Sequence, residues 1–304
     1  MACHPPRRSS RFFIFTAILA GLLLILLAGC LTATADKAGD LLPPITSQAT
    51  RSWHPGRIVW LDLVTPDAAA AKKFYGGLFG WQFKDDGRYT VILNRQQEIG
   101  GIIEIKPEKA KRAAAQWLAT MSVADVDAAA SWTTRNQGQL LNGPVEMSRR
   151  GYGALIQDPA GSRLVILKAR DGDPPEKQPE IGDWLWLENW TMQLDRCVRF
   201  YKELGSYERI LKGDDYVVLI NENKWRAGIR QIREKAFSGQ WVPAVRVRDA
   251  GKMLSRVKEL GGSVWLAPGQ SGGNPDTALI TDNNGALLIL QPWNFTNKNK
   301  EDRP

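Results

Sequence analysis

Trp60 stands two residues before Asp62 in the run VWLDL, and Trp186 stands two residues before Glu188 in LWLEN. If these runs are strands, residues two apart share a face, so each indole lies beside a carboxylate on one surface. Two chemistries fit such a pair. One is a pocket for a small aromatic or cationic ligand, where indole stacking or cation–π attraction contributes about 0.5–2 kcal/mol and the acid adds charge complementarity. The other is structural: the indole fills space, while Asp62 and Glu188 pair with basic residues of facing strands, Arg163 and Arg230 being the candidates.

Other reactive groups are sparse. The chain has two His, His4 and His54, and three Cys, Cys3, Cys30 and Cys197. A Ser-His-Asp or Cys-His arrangement would have to recruit His54 from ahead of the first strand. Cys197, in the run RCVRFY, reads as a small buried hydrophobe on a helix rather than a nucleophile. The Gly pairs 76–77, 100–101, 261–262 and 272–273 lack the following Lys-Ser/Thr of a phosphate loop and read as turns or close backbone approaches. No catalytic residue is assigned.

The ends say where the protein goes. Arg7, Arg8 and Arg11 precede a run of 17 apolar or small residues, FFIFTAILAGLLLILLA, which is followed by Gly29 and Cys30. A basic start, an apolar stretch and small residues before a break make a secretory signal, and Leu27-Ala28-Gly29-Cys30 resembles the bacterial lipoprotein signal, in which the Cys is acylated. The expectation is a signal peptide over 1–29 and attachment to membrane lipid through acylated Cys30. By resemblance to lipoprotein sorting signals, Leu31 in place of an Asp favours the outer membrane, where the cell has one, on the periplasmic side of the cell envelope. Loss of three Arg with the signal lowers the formal charge from +8 to +5. That excess suits anionic lipid, but there is no basic stripe with interleaved aromatics, so no nucleic-acid partner is expected.

Between the ends the chain repeats itself. Trp60/Trp186, Asp62/Glu188 and Phe74-Tyr75/Phe200-Tyr201 are each 126 residues apart, and Gly138/Gly262, Asp158/Asp282 and Gly161/Gly285 each 124. A period this long indicates tandem domains. Within each half a strand, a helix and three strands occur twice, the first helix being AAAAKKFYGGLFG with Gly80 suited to its C-terminal cap. The expected fold is α+β: two tandem domains, each of paired β-α-β-β-β units forming an open cup-shaped mixed sheet with helices on the outside. The boundaries read as signal peptide 1–29, lipidated tether 30–56, first domain 57–168, Pro- and Gly-rich linker 169–182, second domain 183–293 and polar tail 294–304.

The runs VWLDLVTPDAAAAKKFYGGLFGW, QWLATMSVADVDAAASW and YGALIQDPAGSRLVIL, with weaker versions in the second half, resemble the vicinal oxygen chelate superfamily of glyoxalases, bleomycin-resistance proteins and extradiol dioxygenases. The resemblance implies a cup whose concave face holds metal or ligand, with His or Gln in the opening strands and Glu in the final ones. Here those positions fall on Trp60, on Leu118 or Trp117, and on Val165, leaving Glu104 as the one plausible donor; the second-half counterparts are Trp186, Gln231, Val242 and Ile289. A catalytic divalent ion needs about three N, O or S ligands, and indole and alkyl groups offer no lone pair. No metal and no cofactor are therefore expected. The function that follows is a lipid-anchored binding or scaffold protein; the alternatives are a lyase or isomerase with noncanonical ligands, or a protein-interaction module. If the opening strand lines the cup, Ile58, Trp60, Asp62 and Val64 face inward, and the candidate ligand contacts are Trp60, Asp62, Glu104, Trp186 and Glu188. The first half, with its cleaner motifs, is the better candidate for an open pocket.

Overall fold

The computed structural model describes residues 42–105, 114–270 and 275–295, so Cys30 and the apolar run before it lie outside the described residues. Among the described residues no helix is long and apolar enough to cross a membrane.

Strand β1 (Ile58–Thr65) leads into α1 (Ala68–Phe79), then β2 (Gln82–Asp86), β3 (Tyr89–Asn94) and β4 (Gln97–Glu104). Asp67 starts the helix by accepting the Ala70 amide at 2.9 Å, satisfying one of its orphan N–H groups, and Gly80 ends it at φ 73°. The unit then repeats as β5 (Gln116–Ser122), α2 (Val126–Arg135), β6 (Gln139–Glu146), β7 (Gly151–Gln157) and β8 (Arg163–Ala169). All eight strands form one mixed sheet in the order β2-β3-β4-β1-β5-β8-β7-β6, the two units meeting where β1 and β5 run antiparallel. The second half builds the same sheet from β9 (Trp184–Thr191), α3 (Leu194–Leu204), β10 (Glu208–Gly213), β11 (Tyr216–Asn221), β12 (Lys224–Gln231), β13 (Gln240–Val247), α4 (Leu254–Glu259), β14 (Ser263–Leu266), β15 (Ala278–Thr281) and β16 (Leu287–Pro292). The expected pair of β-α-β-β-β cups is thus the fold.

Strand parity divides each sheet into two faces. Leu61, Leu63 and Ile102 point to the helix-covered face with Phe74 and Tyr75, as do Leu187 and Ile229 with Phe200 and Tyr201. These residues belong to a single apolar cluster, so the helix-covered faces of the two domains meet and share one core. The opposite, concave faces hold separate clusters, one around Trp60, Leu118 and Val165 and the other around Trp190, Val242 and Leu287.

The residues that recur at fixed offset make that junction. Tyr75 of the first domain donates to Asp282 Oδ2 of the second at 3.0 Å, and Tyr201 of the second donates to Asp158 Oδ2 of the first at 3.0 Å. The other oxygen of each acid accepts two amides of its own loop: Ala160 and Ser162 on Asp158, and Asn284 and Ala286 on Asp282, each at 2.8 Å. A Cβ on Gly262 would lie 2.6 Å from Phe74, and one on Gly138 would lie 3.1 Å from Phe200. Glycine is therefore needed at both places for close approach. Phe-Tyr, Gly and the Asp loop, which recur at fixed offsets, act together as a reciprocal clasp between the domains.

Candidate functional site

In the first cup, Trp60 and Asp62 do share the concave face: Trp60 Nε1 donates to Asp62 Oδ1 at 3.1 Å and to the Tyr89 hydroxyl at 2.9 Å. Tyr89 in turn donates to Asp62 Oδ1. Its ring lies over Gly101, where any Cβ would collide with it. The other carboxylate oxygen receives Arg150 Nη1 at 2.7 Å, from the end of the β6–β7 connection. Arg150 also lies 5.0 Å from the Tyr89 ring centroid and 5.9 Å from that of Trp60. Burial works against the Arg150 charge, but Asp62 and Tyr89 together outweigh it and hold the guanidinium pKa above its ordinary value. Burial also raises the Tyr89 phenol, so it serves as a neutral donor.

The partner predicted for Asp62, Arg163, is not the one used; it lies at the start of β8, opposite Gln157 of β7. The inward ladder is shorter than expected as well. β1 carries a register shift between Ile58 and Trp60, which turns Ile58 to the helix-covered side and leaves Val59 and Trp60 together on the concave one.

The stretch read as a tether packs onto this cup from residue 42 onward. Ile45 is 1% exposed among Trp60, Leu118, Leu155 and Val165, with Leu42 alongside. The Pro43 carbonyl accepts Arg150 Nε at 3.2 Å. The first cup is therefore filled, against the expectation that it would be the open one.

The second cup repeats the theme with different parts. Glu188 accepts Trp190 Nε1 at 2.8 Å and a bidentate grip from Arg230, 2.7 Å from Nε and 2.9 Å from Nη2, as predicted for that Arg. Trp186 turns instead to the Tyr216 hydroxyl at 2.8 Å, and Arg230 lies 4.4 Å over the Tyr216 ring. Trp225 meets Trp186 edge-on at 6.2 Å. The Arg230 side chain is 30% exposed where Arg150 is 3%, and Trp186, Tyr216 and Trp225 are half-buried. Solvent therefore reaches the Trp186 end of this cup, while Trp190, Val242 and Leu287 stay buried.

Glu104 does not join either site. Parallel pairing sets it opposite Thr65, two residues beyond Ile102 and hence on the helix side, where it is exposed and accepts the Ala68 amide at 3.3 Å. Gln231 occupies the same place in the second domain, accepting the Leu194 amide at 3.0 Å. Both residues finish a helix N-terminus. The cup-facing positions where the family places metal ligands hold Trp60, Leu118 and Val165 in one domain, and Trp186, Val242 and Ile289 in the other. None has a donor lone pair suited to a cation, and among the described residues no three His, Cys, Asp or Glu cluster as ligands. The residues do not fit a metal.

Sequence reasoning missed Arg150, Tyr89, Tyr216 and the segment at 42–46. A signal for the tyrosines existed: Tyr89/Tyr216 and Gly101/Gly228 both recur at an offset of 127, and the Tyr216 hydroxyl likewise crowds Gly228.

Comparison with known proteins agrees with the fold. Residues 57–166 match the model of the Glyoxalase/Bleomycin resistance protein/Dioxygenase superfamily. The glyoxylase-named protein CFP32 of Mycobacterium tuberculosis is 26% identical over 251 residues, spanning 79% of this chain and 96% of that one. The anthracycline biosynthesis protein DnrV of Streptomyces peucetius is 25% identical over 240 residues, covering 70% and 85%. Among solved structures, the Mn(II)-bound glyoxalase of Novosphingobium aromaticivorans superposes with a TM-score of 0.56 at 13% identity, over 78% of this chain and 82% of that one. The 2,3-dioxygenase LapB of Pseudomonas sp. KL28 gives 0.54 at 12%, over 81% and 96%. The match over residues 57–166 places the first domain in the Glyoxalase/Bleomycin resistance protein/Dioxygenase superfamily, and the second domain repeats its fold.

Proposed function

We propose that this protein is a metal-free member of its superfamily, anchored by lipid at Cys30 to the periplasmic side of a bacterial outer membrane, where it binds a flat small molecule in its second cup. One observation carries the binding reading: the acid in each cup is already neutralised by an Arg, and only in the second does solvent reach a cluster of aromatic side chains beside it. The neutralisation removes the reason to favour a cation. What the second cup offers is aromatic surface from Trp186, Tyr216 and Trp225, with the exposed edge of Arg230 beside it. That suits a flat neutral or anionic aromatic. The name of DnrV, which places that relative in anthracycline biosynthesis, is in keeping with the same class.

Tryptophan fluorescence of the purified protein, titrated with neutral, anionic and cationic aromatics, tests this. Saturable quenching by the first two, lost in Trp186→Ala, is expected; silence across all three at millimolar concentration leaves a scaffold. For the anchor, Cys30→Ser should abolish fatty-acid labelling and move the protein out of the membrane fraction. Labelling that persists in the variant would refute lipidation at Cys30.

A further inference from the structure

The first cup is filled by a segment of the chain itself. Residues 42–46, LPPIT, lie on its concave face with Pro43 and Ile45 buried. Ser47, Gln48 and Ala49 then run exposed, before Thr50 and Arg51 are tied by their amides to the Asp171 carbonyl at 2.8 and 3.0 Å. The inserted piece is thus a discrete strap joined to the body by an exposed connector. Its grip is made of side chains: Ile45 packed among Trp60, Leu118 and Val165, and one carbonyl on Arg150. Among the described residues no backbone–backbone hydrogen bond holds residues 42–49 to the sheet. The site could accept more than the strap supplies, because Arg150 Nη2 is buried and has no acceptor among the described residues.

We infer that the first cup is a peptide-binding site for short apolar, proline-containing segments, occupied in cis by residues 42–46. The chemistry matches on each count. The cup floor is apolar, a Pro pair pre-orders the occupant at little entropic cost, and Arg150 reads a main-chain carbonyl that any such segment presents. A strap without sheet pairing exchanges with a competing segment more readily than a strand would. Covalent attachment gives the cis segment a high effective concentration, so a competitor in trans is held off until the strap is dislodged. The inference concerns the first cup and stands whether or not the second binds an aromatic.

The test uses the full chain carrying Ile45→Asp, which places a charge where the cup is apolar and so ejects the strap. A fluorescent peptide of residues 41–48 is the probe, and the same peptide with Asp in place of its Ile is the control. Fluorescence anisotropy should show saturable binding of the probe to the variant, tighter than to the unaltered protein by about tenfold or more, and none of the control. If the variant does not fold, a specific protease site inserted between Gln48 and Ala49 of the unaltered chain serves instead: cleavage after folding should let labelled probe exchange into the cup. A folded variant or a cleaved protein that takes up no probe overturns the inference. So does equal binding of probe and control.

Discussion

Arg150 and Asp62 form a buried ion pair, 3% and 2% exposed, and its value lies in completeness. Removing one partner strands the other charge away from water. Arg150→Met should therefore destabilise the protein by about 3–5 kcal/mol, while Asp62→Asn/Arg150→Met recovers much of that loss, measured by urea unfolding of both variants. Glu104 makes the opposite case. Since neutral Gln231 fills the same place in the second domain, Glu104→Gln should change stability by no more than about 0.5 kcal/mol and leave ligand binding untouched. A loss of quenching in the titration above would return Glu104 to the site. At this scale the sequence was legible where spacing fixed a face, as with Trp60 and Asp62, and for the Arg230 partner on the neighbouring strand. It was not legible for Arg150, whose place depends on how a distant connection returns over the sheet. Glu104 was misplaced because the strand's parity could not be counted across an uncertain alignment of a residue or two. Cys197 was read correctly: it is buried, and burial first and Asp158 second push its thiol up to about 12.

Among the elements, the Asp loops after β7 and β15 and the helices α1 and α3 are coupled across the domain boundary. Burial raises the pKa of both Asp158 and Asp282 above the ordinary carboxylate range, against the lowering effect of their hydrogen bonds. Folded protein thus holds these protons more tightly than unfolded chain. Their contribution is fully present below the unfolded value of about 3.9 and is lost as pH rises through the raised values. The urea midpoint of the wild type, less that of Asp158→Asn/Asp282→Asn, should fall as pH rises from about 4 to 7. A flat difference would mean that the acids titrate normally. The helices and strands themselves were readable from periodicity: Gly80 ends α1 as expected, and Asp67 and Asp125 cap the starts of α1 and α2. The segment at 42–46 was not, because five residues with two prolines carry no period, and only the cup beneath them gives them a place.

For the whole molecule, duplication was evident from the constant offsets, but the purpose of the repeated residues was not. In sequence they marked a duplication; in the fold they form the junction between its two copies. The two cups have meanwhile gone separate ways, one filled by the chain's own segment and the other reached by solvent at its Trp186 end. The clasp has a consequence for ancestry and for dissection. Each half supplies a tyrosine that it cannot use and an acid that it cannot satisfy alone, so each is built for a mate. A protein comprising residues 57–168 alone should pair with itself, Tyr75 of each copy reaching Asp158 of the other, and run as a dimer in light scattering, while Tyr75→Phe/Asp158→Ala shifts it to monomer. A single ancestral domain would have lived as that homodimer; fusion made the partner permanent, and with the seam fixed, only the cups were left free to change.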